Sequence, residues 1–175
     1  MKTRPTVELR RIDRSVVVNR FDCGRTPLDR FLKNKALRAD RRDEDRVFVA
    51  TEPGSSFCIA YYAMRLAAEP MPDDLDVLAP YLANYETFVS VHLSWLAVDA
   101  PFQRRGIGQY LLMDAFDRVT AISEHAGFAA LTLQSFDAGS TAFYERIGFI
   151  RYGGGDQPKM LYPLDSVIEV VERIV

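Results

Sequence analysis

The stretch "LAVDAPFQRRGIGQYLLMDAF", Leu96 to Phe116, holds the densest local signal in the chain. An apolar run ends in Gln103-Arg104-Arg105-Gly106-Ile107-Gly108 and passes at once into an amphipathic helical pattern. A strand, a glycine-bearing turn and a helix start, in that order, offer backbone N–H groups to an anion. The first amides of a helix lack intrahelical acceptors, and the helix dipole adds positive potential there. Arg104 and Arg105 would add a Coulomb attraction. Taken alone, Gly106-x-Gly108 is equally well a structural turn with tight helix packing, and the arginines solvated loop cations. A dinucleotide fingerprint needs a third spaced glycine after a first strand, and a P-loop needs Gly-Lys-Ser/Thr; neither is present.

Working outward, "TFVSVHLSWLAVD" is nearly continuous apolar sequence, as in a central strand covered on both faces. After the glycines, Leu111, Leu112, Ala115, Phe116 and Val119 form a helical apolar stripe ending near His125-Ala126-Gly127, with Gly127 as C-cap and His125 capping the helix end. "FAALTLQSF" gives a second buried strand at Ala129–Ser135. "DAGSTAFYERIGF" gives a short helix closed by Gly148, and "KMLYPL" a last strand before a terminal helix from Asp165.

Upstream, a first strand near Val7–Ile12 precedes "TPLDRFLKNKALRAD", a helix with Thr26 as N-cap and Pro27 at its first position. At about 100° per residue, Leu28, Leu32, Ala36 and Ala39 share one side, with Arg30, Lys33, Arg38 and Arg41 roughly opposite. "RVFVATEPGSSFCIAYYAMRLA" reads as a hairpin turning at Pro53-Gly54-Ser55-Ser56. Residues 70–86, acidic and with three prolines, read as an irregular excursion with one helical turn. The alternation predicts a mixed sheet with helices on both faces. Right-handed crossover makes the strand ending at Asp99 and the strand Ala129–Ser135 parallel neighbours, their C-terminal ends framing a crevice.

Composition sets the outer limits. At 175 residues, 48% hydrophobic and 26% charged, the chain is long enough for one well-buried core, and 1–175 is read as a single domain. Cys23 and Cys58 lack metal-ligand spacing, so no metal is expected. No h-region or long apolar span suggests export or a membrane, so a reduced, cytoplasmic protein follows. The net charge of -2 hides an asymmetry: residues 1–46 hold 14 of the 22 Lys/Arg and 8 of the 24 Asp/Glu, leaving 8 against 16 in residues 47–175. Such a cluster is either a solvated helix face or a patch for a polyanion.

Gln103-x-x-Gly106-x-Gly108, set between a strand and a long helix, resembles the pyrophosphate arm of the GNAT superfamily of acetyl-CoA-dependent N-acetyltransferases, and "AFYERIGF" at 142–149 strengthens the match. The resemblance implies the α/β GNAT fold, a mixed, mostly antiparallel sheet with a splayed parallel strand pair and helices on both faces. It implies acetyl-CoA as cofactor, held by Leu96, Ala97, Val98, Gln103, Arg104, Arg105, Gly106, Ile107, Gly108, Gln109, Ala138, Phe143, Tyr144 and Arg146. The Val98 N–H would polarise the thioester carbonyl, and Tyr144 would protonate the departing thiolate. Without the glycine motif, Tyr144 beside Phe143 would read as a core aromatic.

No general base stands out, because His92 and Glu86 read as structural residues. An α-amino group, with pKa near ~8, needs a base less than a lysine near ~10.4. The segment "FDCGRTPLDRFLKNKALRADRRDEDRVFVATE" at 21–52 looks like the N-terminal part of the GNAT toxins of bacterial toxin–antitoxin pairs, which acetylate the α-amino group of aminoacyl-tRNA. That resemblance implies a tRNA contact through Arg30, Lys33, Arg38 and Arg41. It also implies a ribbon-helix-helix antitoxin as partner, with no membrane role and with homodimerisation left open. The competing readings are an acetyltransferase for a small amine, peptide N-terminus or protein lysine, and a non-catalytic acyl-CoA-binding module.

Overall fold

The apolar run before the glycine loop forms the middle strand of a seven-stranded sheet. The computed structural model describes residues 5–71, 86–152 and 155–174. Its strands are β1 (Glu8–Arg11), β2 (Arg46–Thr51), β3 (Cys58–Pro70), β4 (Thr87–Val98), β5 (Ala130–Gln134), β6 (Ile150–Arg151) and β7 (Lys159–Pro163), in the order β1-β2-β3-β4-β5-β7-β6. The helices are α1 (Thr26–Asn34), α2 (Ala36–Arg41), α3 (Ile107–Ser123), α4 (Ala138–Ile147) and α5 (Leu164–Ile174). The β1–β2, β2–β3, β5–β7 and β6–β7 ladders are antiparallel, whereas β4 and β5 pair in parallel over Ser90–Leu93 and Ala130–Leu133. The mixed sheet and its parallel pair agree with the sequence reading.

The chain divides into two compact units, Met1–Arg65 with Ser94–Asp114, and Leu66–Leu93 with Ala115–Val175. In the first, α1 and α2 bury Leu28, Phe31, Leu32, Ala36 and Ala39 while Arg30, Lys33, Arg38 and Arg41 stay exposed. The Phe31 ring stacks on Tyr61 and Trp95, with centroids 6.1 and 4.7 Å away, and the Tyr61 hydroxyl donates to the Leu28 carbonyl at 2.8 Å. Burying Phe31 and Leu32 contributes about 1.5–3 kcal/mol each, which fixes which side of α1 faces water. Buried Asp40 ties α2 to the sheet by accepting from Arg11 Nε at 2.9 Å and the Val47 amide at 3.0 Å.

Local chemistry departs from the sequence reading at four places. The expected single helix over 26–40 is two, joined at Lys35, whose φ of −126° is not helical and follows the weak helix former Asn34. Arg25, not Thr26, is the N-cap, so α1 starts one residue early. Pro27 fits the second helical position as well as the first because neither has an intrahelical N–H partner to lose. Helix α3 ends at Ser123 rather than near Gly127, which is not among the left-handed glycines; His125 nevertheless does cap, its Nδ1 lying 3.1 Å from the Ala121 carbonyl. Finally, β4 is not covered on both faces along its length, since Thr87 and Val89 are exposed and alternate with buried Phe88 and Ser90, the pattern of a strand with one wet face. The hairpin turn at Pro53–Ser56 is as expected, and the excursion at 70–86 lies, for residues 72–85, outside the described residues.

The second unit is organised around Phe116, Tyr144, Phe149 and Tyr162, whose rings meet edge-on or tilted. Helix α4 begins with a capping box: Asp137 Oδ1 accepts from the Ser140 amide at 2.8 Å, and Ser140 Oγ accepts from the Asp137 amide at 2.9 Å. It ends at Gly148, where φ is +117° and an added Cβ would stand 3.1 Å from the Tyr162 ring. Gly148→Ala should therefore lower unfolding free energy by ~1–3 kcal/mol, read as an earlier urea midpoint at unchanged slope. An unmoved midpoint would show that the end of α4 does not depend on this glycine.

Candidate active site

The last turn of β4 behaves differently from its first. At one end, the Met71 amide donates to Glu86 O at 2.9 Å; at the other, the Asp99 amide donates to Ile59 O at 2.8 Å. Met71 and Ile59 are 12 positions apart and Glu86 and Asp99 are 13, so β4 carries one extra residue against β3. The extra residue therefore lies between Glu86 and Asp99. A one-residue bulge reverses the direction of every later peptide group. Before it Glu86, an even-numbered residue, faces β3; after it Asp99 does, so Val98 turns its N–H and C=O away from β3.

Gln103 occupies the carbonyl thus released. Its Nε2 donates to Val98 O at 2.9 Å and to Cys23 O at 3.0 Å, so both amide hydrogens are engaged. Between Asp99 and Gln103 the 3-10 turn Ala100–Phe102 closes through Phe102 N to Asp99 O at 2.8 Å. Arg104 at φ +63° and Gly106 at φ +84° then bend the chain into α3. Left-handed dihedrals favour glycine at 106, while open space surrounds the position of its missing Cβ. The first helical bond is Tyr110 N to Gly106 O at 3.0 Å. Six consecutive amides, those of residues 104–109, consequently meet no acceptor among the described residues. Ile107 is buried, and the other five residues are exposed or half-buried. Donors in this arrangement are able to hold an anion of several oxygens, as a cradle of amides does. Arg105 lies over the Phe102 ring at 5.4 Å, and Arg104 is exposed.

The sequence-predicted residues fall in two groups. The first unit holds half-buried Leu96 and Val98, buried Ala97, and the loop Gln103–Gln109; it also holds the cations Arg30, Lys33, Arg38 and Arg41, none in an ion pair with a described residue. Lys33, Arg38 and Arg41, with Arg14, rim a groove of about 370 Å³ that has Val16 and Leu32 in its wall. The second unit holds exposed Ala138 and Arg146, half-buried Phe143, and buried Tyr144. The Tyr144 ring packs edge-on against Phe143 and Phe149, and its hydroxyl bonds to no described residue. Burial pushes this phenol's pKa upward, so it keeps its proton throughout the neutral range.

Two features escaped the sequence reading, one around Asp99 and one around Glu69, while the free thiols are as expected. Asp99 Oδ1 accepts from the Asp22 amide at 2.7 Å, anchoring the chain just before α1. Glu69, buried, takes Lys159 Nζ at 2.8 Å and lies 3.7 Å from His92 Nδ1, which in turn is 3.0 Å from Thr132 Oγ1. His92 is thus a packed, hydrogen-bonded residue. Cys23 and Cys58 are buried free thiols pushed up to about 12 by desolvation, which leaves them protonated. Among the described residues no His/Cys/Asp/Glu group could hold a metal, and no helix is long and apolar enough to cross a membrane.

A mixed sheet with one parallel strand pair, followed after its central strand by a run of acceptor-free amides at a helix start, is the architecture of an acyl-CoA-dependent transferase. The chain belongs to the acetyltransferase (GNAT) domain family, whose pattern matches residues 43–151. It is similar to a tRNA-acetylating toxin of Mycobacterium tuberculosis, 28% identical over 151 residues, 80% of this chain and 82% of that one. It is also similar to a probable toxin TacT of Sinorhizobium fredii, 25% identical over 136 residues, 74% of this chain and 75% of that one. Among solved structures, a mutant of KacT superposes with TM-score 0.88 at 22% identity, covering 95% of this chain and 99% of that one. AtaT complexed with acetyl-methionyl-tRNAfMet superposes at 0.84 and 23% identity, covering 94% and 98%.

Gly106→Val places a β-branched residue at φ +84° in an exposed turn. It should cost at least about 100-fold in acetyl-CoA affinity by calorimetry, and the left-handed strain should lower unfolding free energy by ~1–3 kcal/mol while the chain stays folded, because the loop, not the core, is deformed. Undiminished affinity in the folded variant would remove the cradle as the anion site.

Proposed function

We propose that the chain moves the acetyl group of acetyl-CoA onto the α-amino group of an aminoacyl-tRNA, and that it acts as a cytoplasmic toxin held in check by a ribbon-helix-helix antitoxin. The observation that carries the cofactor assignment is the run of six amides at 104–109 without an acceptor among the described residues, a match for a pyrophosphate. In this reading Arg104 and Arg105 add charge, and Leu96, Ala97 and Val98 present the edge of β4 to pantetheine. The Val98 N–H, turned away from β3, donates to the thioester oxygen as charge develops on it. From α4 the family resemblance assigns Ala138, Phe143 and Arg146 to cofactor contact and Tyr144 to supplying the proton that the thiolate takes.

The tRNA assignment is supported by the face of α1 and α2. Arg30, Lys33, Arg38 and Arg41 are exposed with no described ion-pair partner, as a phosphate-tracking surface requires. The named relatives point the same way: one is a tRNA-acetylating toxin, AtaT is seen with an acetylated methionyl-tRNA, and AtaT is also seen with the C-terminus of its antitoxin AtaR.

Tyr144→Phe removes the transferable proton and nothing else, so turnover should fall about 10²-fold or more with acetyl-CoA affinity near normal. Because burial raises the Tyr144 pKa, the acid form persists above pH 10. Wild-type turnover should then show no loss from its ionisation up to that pH; a descending limb near pH 8–9 that vanishes in Tyr144→Phe would contradict the raised value. Full activity of Tyr144→Phe would reduce Tyr144 to packing.

Replacing Arg30, Lys33, Arg38 and Arg41 together by Gln should weaken binding of charged tRNA and flatten its salt dependence by roughly 0.7–0.9 in log–log slope for each phosphate no longer neutralised. Acetyl-CoA affinity should not move. Unchanged tRNA affinity would return these cations to a solvated face, and failure of the wild type to acetylate any member of a fully charged tRNA pool would end the tRNA reading.

A further inference from the structure

The segment Asp22–Arg25, just before α1, has its backbone tied in two directions. Toward the helix, the Cys23 amide donates to Asp29 Oδ1 at 2.9 Å, and Arg25 O accepts from the Leu28 and Asp29 amides. Toward the glycine loop, the Asp22 amide donates to Asp99 Oδ1 at 2.7 Å, Asp22 O accepts from the Ala100 amide at 2.9 Å, and Cys23 O accepts from Gln103 Nε2 at 3.0 Å. The last three bonds join residues 77 to 80 positions apart and converge on the short loop that makes the amide cradle. Gly24, at φ +83° and closed by its amide to Asp22 Oδ1 at 2.9 Å, lets the strap turn tightly between them.

We infer that Gln103 and Asp99 are positioning residues that make this strap part of the cofactor site, so that an anion seated on the glycine loop stiffens the start of α1 and presets its cationic face. Gln103 is then not a side chain that touches the cofactor: its one nitrogen is occupied by Val98 O and Cys23 O, and it links the end of β4 to the strap. A ligand that holds the loop in the conformation shown favours the same three bonds. By linkage, a polyanion that holds α1 must favour the ligand on the loop to the same degree. The inference rests on the cradle at 104–109 taking a pyrophosphate, and its second arm rests on the tRNA reading.

The test uses CoA itself and residue-resolved amide hydrogen exchange. In the wild type, saturating CoA should slow exchange at Asp22, Cys23 and Gly24 by about tenfold. In Gln103→Leu, which keeps the volume but removes both donors, CoA at saturation by calorimetry should slow them less than about threefold, while the buried amides of α3 remain protected. Gln103→Arg, which keeps N–H donors at similar reach, should restore the response. Asp99→Ala attacks the clamp from its other anchor and should also blunt it, which covers the case of a poorly folded Gln103 variant. If CoA binds the wild type and the strap amides do not respond, or if Gln103→Leu responds like wild type, the inference is overturned with the cofactor assignment intact. If CoA does not bind at all, the cofactor reading has failed and the inference falls with it. In the second arm, uncharged tRNA should bind the wild type several-fold more tightly with CoA present than without, and Gln103→Leu should show equal affinities. Equal affinities in the wild type would overturn the coupling, whereas no tRNA binding in either state would sink only the substrate reading.

Discussion

Strand β4 carries one residue more than β3 between the Met71–Glu86 and Ile59–Asp99 hydrogen bonds, and the rest of the site follows from that excess. A strand in register would point Asp99 away from β3 and leave Val98 bonded within the sheet. With the bulge, Asp99 closes onto Ile59 and the polar groups of Val98 face the other edge. A turned-out carbonyl must find a donor or stay in water, and the Gln103 side chain is that donor. Holding Gln103 there sets where the loop begins. Arg104 and Gly106 absorb the reversal at positive φ, and the first amides of α3 are left with nothing inside the described chain to bond.

The two units hold their candidate groups in opposite ways. Tyr144 is placed by over-determination: a capping box starts α4, a left-handed glycine ends it, and aromatic rings on both sides fix the tyrosine's own ring. The cations of α1 and α2 are placed by their backs, through Leu28, Phe31, Leu32, Ala36 and Ala39. Exposed ion pairs contribute about 0–1 kcal/mol, so folding gains little from pairing these cations and nothing in the core requires them. Buried Asp40, by contrast, has both a guanidinium and an amide directed at it, because an unpaired carboxylate at that depth would be costly.

Periodicity made most elements legible. The stripe Leu111, Leu112, Ala115, Phe116 and Val119 is fully buried, as its spacing requires, and so is the apolar side of the first helical segment. The glycine loop and Gly148 were readable because left-handed backbone restricts residue choice. The bulge was not, since hydrophobic patterning records which face a side chain takes and "WLAV" at 95–98 is apolar on both. The clamp was equally hidden: an amide such as Gln103 can reach any nearby carbonyl, and only the fold brings Cys23 within 3.0 Å. Glu69, in "RLAAEP", has the look of a solvated residue until the folded chain sets Lys159 against it. The joint at Lys35 and the two-residue β6 are too slight to interrupt a pattern averaged over a turn or more.

On the proposed reading, proton balance connects the buried phenol to the choice of amine. A neutral amine and a thioester give an amide and a thiol with no proton left over: the nitrogen becomes ammonium-like on attack and must lose one proton, and the sulfur must gain one. A shuttle between them is then sufficient, and no net base is required. Tyr144 suits a shuttle better than a reservoir. Burial raises its pKa, so it does not stay ionised after giving its proton to sulfur but takes another from the ammonium centre, and its hydroxyl has no described protein partner to surrender first. An α-amino group, with pKa near ~8, arrives neutral often enough to use such a shuttle, whereas a lysine near ~10.4 arrives with a surplus proton that the cycle does not consume. On this reading the pKa of the incoming amine decides whether the tyrosine shuttle alone suffices.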